Sequence, residues 1–272
     1  MSRWNITGIK SEMKKHFLIL STFVLFIFSS CQKFAGDPIQ KDFSISDNYT
    51  KLEVEDAFNV TVSDSATLIT VTAGENVMPN VVVKIVDNTL KIYLKGLHSN
   101  LGADMTVILP YNADLTSVDL SGASEFHSEY GLESDKVEIE LSGASDFFGD
   151  IVADEIEMDL SGASNIEGNV TATELDLELS GASDATLKGQ VTTLKIDLSG
   201  ASHIKKTVVG NRYGLVCDLC EGEMSGASDA YIHCDGTIKV DLSGSSDLHF
   251  TGTAFTGDSH TSGASDIIHD VL

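Results

Sequence analysis

The chain has 272 residues, with 41 Asp plus Glu against 17 Lys plus Arg, for a formal net charge of −24. It holds 23 Gly and only 3 Pro, and its 42% hydrophobic content is enough for a real core. A surface this acidic argues against nucleic-acid recognition, which needs clustered Lys and Arg, and against docking on anionic lipid through a basic patch.

Residues 1–30 read as a leader. Lys14 and Lys15 precede an apolar run from Phe17 to Phe28, and Ser29-Ser30-Cys31 follows it. A spanning helix needs roughly 20 apolar residues, so this run is too short, whereas a basic start, a short apolar core and small residues describe a secretory signal. The small-small-Cys ending resembles the lipobox of bacterial lipoproteins, which implies that Cys31 is acylated and that the protein is anchored rather than spanning. Without the leader the charge is −27. Residues 31–42 are polar, contain Gly and Pro, and read as a tether.

Residues 43–112 predict strands. Tyr49 to Val54, Phe58 to Val62, Leu68 to Thr72, Val81 to Val86, Thr89 to Leu94 and Met105 to Leu109 alternate or run apolar. Asp87-Asn88, between two such runs, is a hairpin signal. This segment is expected to supply irregular first coils that cap one end of the fold.

Residues 113–272 are organised by a repeat. Ser-Gly-Ala-Ser, or a one-residue variant, begins at Ser121, Ser142, Ser161, Ser180, Ser199, Ser225, Ser243 and Ser262. The spacings are 21, 19, 19, 19, 26, 18 and 19 residues. Apolar residues stand one, three and five positions before most copies (Leu160, Met158 and Ile156, for example) and again five after (Ile166). Alternation of this kind is a strand with one buried face, and a period near 19 fits one coil of a parallel β-solenoid. The Gly suits a bend between two faces, the small Ala fits the inside of a corner, and the Ser residues can satisfy backbone groups there or form ladders between coils. The last copy loses its apolar frame (Gly257, Ser259, Thr261), as a terminal coil should. The expected fold is all-β: a parallel β-helix (solenoid) with coils of about 19 residues and an irregular N-terminal β cap.

Repeated Ser-Gly-Ala-Ser coils, an upstream strand ending Val107-Ile108-Leu109-Pro110 and a lipoprotein leader together resemble the autotransporter-adhesin head domain family, also called the head GIN domain, of Bacteroidetes. The likeness spans about Phe43 to Asp270. It implies the right-handed hand of the β-helix, an outer-membrane or cell-surface location and an adhesin-like role, and it brings no catalytic residue.

Several groups of residues could carry chemistry. Two positions before the repeated Ser stand Asp119, Glu140, Asp159, Glu178, Asp197, Glu223 and Asp241, then His260. Stacked coils would make these one outward ladder, and carboxylates about 5 Å apart repel by roughly 0.8 kcal/mol even in water. A second column holds Glu125, Asp146, Asp184, Asp229, Asp247 and Asp266, interrupted by Asn165 and His203. Two accounts fit: a solvated acidic face screened by salt, or a face that takes Ca²⁺ or another hard divalent cation. Cys217 and Cys234 fall at nearly equal distances before successive repeats, so a disulfide between adjacent coils, buried free thiols and a metal site all stay open, while Cys220 shares the register of buried Leu194 and Ile238. The 26-residue spacing marks an insertion whose Lys205, Lys206, Arg212 and Tyr213 form either a basic binding loop or a tolerated excursion.

No nucleophile–His–acid arrangement recurs, and the basic residues and aromatic-lined groove of a polysaccharide lyase are missing, so no enzyme is expected. The reading is a lipid-anchored envelope β-helix acting as an adhesion or interaction module toward a protein or glycan. A structural envelope protein without a ligand, self-associating as a homo-oligomer, and a carbohydrate-active β-helix are the alternatives.

Overall fold

The computed structural model describes residues 35–44, 48–96 and 104–272. The leader and Cys31 lie outside these residues. In chain order come β1 (Pro38–Phe43), β2 (Lys51–Val54), β3 (Phe58–Ser63), β4 (Ile69–Gly74), β5 (Val81–Val86), β6 (Thr89–Leu94), β7 (Met105–Pro110) and β8 (Ser117–Leu120). Long strands follow: β9 (Glu125–Leu141), β10 (Asp146–Leu160), β11 (Asn165–Leu179) and β12 (Asp184–Leu198). The chain ends with β13 (His203–Ile204), β14 (Val208–Val209), β15 (Arg212–Tyr213), β16 (Leu215–Met224), β17 (Asp229–Leu242), β18 (Asp247–Thr251), β19 (His260–Thr261) and β20 (Asp266–His269).

From β8 onward each coil lies parallel and in register on the one before. Leu141 pairs with Leu160, Leu160 with Leu179 and Leu179 with Leu198. The interior is therefore built of columns of like residues, among them Phe126 and Phe147, stacked at 5.2 Å. This is the solenoid that the period predicts.

The repeated tetrapeptide makes the corner. Gly122, Gly143, Gly162, Gly181, Gly200, Gly226, Gly244 and Gly263 all have φ between +73° and +81°, a region where a side chain is costly. The corner keeps its backbone bonded from coil to coil: Ser161 N–H donates to Leu141 O at 2.9 Å and Ala163 N–H to Gly143 O at 2.7 Å. The second Ser of each copy is buried and its hydroxyl donates back to the carbonyl of the first, as from Ser164 to Ser161 at 2.8 Å. The second Ser thus serves its own coil's backbone, while the first Ser hydroxyl reaches the coil before, as from Ser161 to Leu141 O at 3.4 Å, and a Ser-to-Ser bond between coils occurs at Ser228 and Ser246 (3.3 Å). Ser164→Ala should cost about 1 kcal/mol, because it removes the bond from this buried hydroxyl to Ser161 O, and urea unfolding of the full chain would measure it.

Residues 43–112 belong to the same stack. β2 pairs in parallel with β8, β6 with β2, β3 with β9 and β7 with β3, so two layers precede the repeat, β6 with β7 and then β2 with β3. β5 covers β6 and β4 covers β7, both antiparallel, and close that end. Asp87 and Asn88, at φ 49° and 64°, form the expected β5–β6 turn. Pro38–Phe43, expected as the end of a tether, instead forms β1, antiparallel to β4. Its polar side chains gave no apolar alternation to read, and the partner strand supplies the order.

Candidate functional site

The predicted carboxylate ladder exists. Asp119 stands opposite Glu140, and Asp159, Glu178, Asp197, Glu223 and Asp241 follow in unbroken register to His260. It also extends one step further than the repeat shows, because Glu53 pairs with Asp119 and Lys91 with Glu53. At one end Lys91 forms an ion pair with Glu53, and at the other His260 Nδ1 lies 3.1 Å from Asp241. Beside the ladder runs a parallel row of Glu138, Glu157 and Asp176, continued by Lys195. Glu138, Glu140, Glu157, Asp159, Asp176 and Glu178 line a shallow groove of about 390 Å³ floored by Ile139 and Met158. Lys136 sits at its edge, 2.6 Å from Glu157 and 2.9 Å from Glu155, while Lys195 lies 2.6 Å from Glu174.

Crowding shows in the proton affinities. Asp119, half-buried, is pushed up to about 6, first by burial and then by the charges of Glu140, Glu53 and Glu55, against the opposing pull of Lys91. Asp176 and Glu178 are also raised, by burial first and by neighbouring carboxylates after it. The carboxylates form lines rather than cages. Among the described residues no three His, Cys, Asp or Glu side chains are placed to hold one metal ion.

The second column is broken by internal pairing. Asn165 donates to Asp146 at 2.6 Å, and His203 Nδ1 lies 2.9 Å from Asp184. Lys205 reaches the same Asp184 at 2.8 Å. The insertion itself is a two-stranded hairpin, β14 against β15, that leaves the stack after Lys206 and re-enters at Leu215 opposite Gly189. Of the four residues that the sequence offers as a binding loop, three are exposed and one is not. Tyr213 is fully buried, its N–H donates to Thr251 Oγ1 at 3.1 Å, and its hydroxyl donates to the Asp270 carboxylate. Lys206 lies over the rings of Tyr213 and Tyr231, at 5.4 and 5.8 Å. Arg212 is exposed opposite Val209 on the hairpin, beside Val208. Tyr213 carries an apolar ring that the sequence could place only on the loop, not under it.

Residues 48–169 and 148–254 match the family described as "Putative auto-transporter adhesin, head GIN domain". The chain belongs to that family. The head GIN fold is also seen in solved structures. One, described as a putative adhesin from Parabacteroides merdae ATCC 43184, is 18% identical, with a TM-score of 0.73 over 86% of this chain and 97% of the other. A putative adhesin from Parabacteroides distasonis ATCC 8503 is 19% identical, with a TM-score of 0.69 over 86% and 95%. A protein of the same organism described as a putative lipid binding protein is 18% identical, with a TM-score of 0.73 over 86% and 97%. At such identities the likeness establishes a shared fold. No curated protein matches the chain.

Within this head GIN domain the cysteines are placed as their spacing suggests, although all three are free thiols in this structure. Cys217 stands directly opposite Cys234 on the next coil, and Cys220 stacks between Leu194 and Ile238 in the core. Sequence reading missed Glu53 and Lys91, because residues 51–54 carry no repeat tetrapeptide. The alternation Leu52-Glu53-Val54, matching Val118-Asp119-Leu120, was the available signal.

Proposed function

We propose that this head GIN protein is a lipid-anchored adhesion module at the outer membrane, binding through the faces of its solenoid and performing no catalysis. The membership in an adhesin family across residues 48–254 carries the reading. The fold supports it, since a stack of near-identical coils presents long, regular, strongly acidic faces rather than one enclosed cleft. Among the described residues no helix is long and apolar enough to cross a membrane, and in this reading the acyl chain on Cys31 holds the protein to the envelope. The carboxylate face would repel acidic polymers and favour neutral or cationic ones.

Two measurements test this. Labelled palmitate should enter the wild-type chain but not Cys31→Ser, and the variant should move from the membrane to the soluble fraction. Purified protein should then bind a defined subset of a glycan and surface-protein array. Membrane retention of the variant would sink the anchor, and an array without binders alongside a tight homo-oligomer would replace adhesion with a structural role.

A further inference from the structure

We propose that Cys217 and Cys234 form a disulfide that joins two neighbouring coils of the solenoid. The two residues are register partners on β16 and β17, and their side chains are 1% and 0% exposed. Neighbouring strands lie about 4.8 Å apart, inside the Cα separation of roughly 4.4–6.8 Å that a disulfide spans. Both side chains enter the same interior, where the two thiols are in hydrogen-bond contact. The ladder is bulged just after Cys217, which gives the backbone slack at this step.

Closure breaks two S–H bonds and makes one S–S bond. Two electrons and, by way of water, the two protons pass to an external disulfide, such as oxidised glutathione or a protein disulfide oxidant, which becomes two thiols. The reaction belongs to folding rather than to the finished protein. Once the coils close, the Cys217 thiol is raised, first by its hydrogen bond with Cys220, and the Cys234 thiol is raised, first by its hydrogen bond with Cys217, with burial adding to both. Buried thiols held protonated exchange slowly. Cys220, stacked between Leu194 and Ile238, is left as the free thiol.

The inference rests on the envelope reading only for its oxidant, so two arms separate them. In the first, full-length protein is unfolded, reduced and refolded in a glutathione redox buffer, then alkylated and cleaved at methionine. Cleavage at Met224 parts the Cys217 and Cys220 peptide from the Cys234 peptide unless a disulfide joins them. The expected product is the joined pair, 2 Da lighter than its alkylation-free sum, in wild type and in Cys220→Ser but not in Cys234→Ser or Cys217→Ser. Reductant should lower the melting midpoint of wild type and Cys220→Ser by roughly 6–12 °C and leave the other two unchanged. Separate peptides, a Cys217–Cys220 link, or a joined pair that persists in Cys217→Ser would overturn the proposal. In the second arm the protein is taken from its producing cells under alkylation. A joined pair there supports the oxidising envelope as well, and free thiols there with a joined pair on refolding would overturn the location and leave the geometry standing.

Discussion

Gly162→Ala should lower the unfolding free energy by about 3–5 kcal/mol, a large loss for one methyl group. Two costs combine. The residue sits at φ +77°, where a side chain meets its own backbone at roughly 1–2 kcal/mol. The added Cβ would also lie 2.4 Å from Gly143 O and 3.0 Å from Gly143 N, both backbone atoms of the coil beneath. That oxygen accepts the Ala163 N–H, so moving it away breaks the corner bond that joins the coils. Asp56 shows that φ alone is not the obstacle. It fills the same corner in an earlier coil at φ +75°, with Ala123 N–H donating to its carbonyl, and its carboxylate accepts from Leu94 N–H. Gly210 is the control: φ is +64°, but no atom lies within 4 Å of the position its Cβ would take. Gly210→Ala should therefore cost only about 1 kcal/mol. Urea midpoints at unchanged slope measure both, and equal losses would show that packing between coils is not what selects glycine.

The same contrast explains how much of the molecule the sequence reveals. Residues 113–272 are legible because every coil meets the same surroundings: alternation fixes the face, the corner fixes the register, and stacking then places Asp119 and its successors in a line without further information. The observed limits Val81–Val86 and Thr89–Leu94 match their apolar runs for the same local reason. What escapes is set by tertiary partners. β6 and β7 lie outside β2 and β3, an order no periodicity states. Pro38–Phe43 becomes a strand because Ile69–Gly74 offers an edge, and Asp56 becomes a corner because Leu94 N–H needs an acceptor. Tyr213 looks like a loop residue until Thr251 and Asp270, both late in the chain, are found around it.

Asp119→Asn should stabilise the protein at pH 7.5 by about 1–2 kcal/mol and remove part of its pH dependence. Folding raises this carboxyl to about 6, from an ordinary value near 3.9 in the unfolded chain. Between about pH 4 and 6 the folded state keeps a proton that the unfolded state has lost, so stability falls as pH rises through that window and is level above it. A shift of about two units corresponds to about 3 kcal/mol, and solvent at this half-buried side chain trims it. Asn keeps the shape and removes the charge that Glu53, Glu55 and Glu140 oppose, while Lys91 keeps its ion pair with Glu53. Asp176 and Glu178, also raised, keep a residual slope of the same sign in the variant. Asp235 and Asp270 are lowered, Asp235 first by the Thr253 backbone N–H and Asp270 first by the Tyr213 hydroxyl, so they act below the ordinary carboxylate range, where stability falls as pH falls. Urea midpoints at pH 3, 4.5, 6 and 7.5 for the wild type and the variant separate the two windows. A variant that is less stable at pH 7.5, or equally steep between 4.5 and 6, would mean that the ladder does not strain the fold. If the strain is there, Asp119 and Glu178 oppose folding at neutral pH, and the recurrence of an acidic residue in this place in seven repeats belongs to what the face binds or repels.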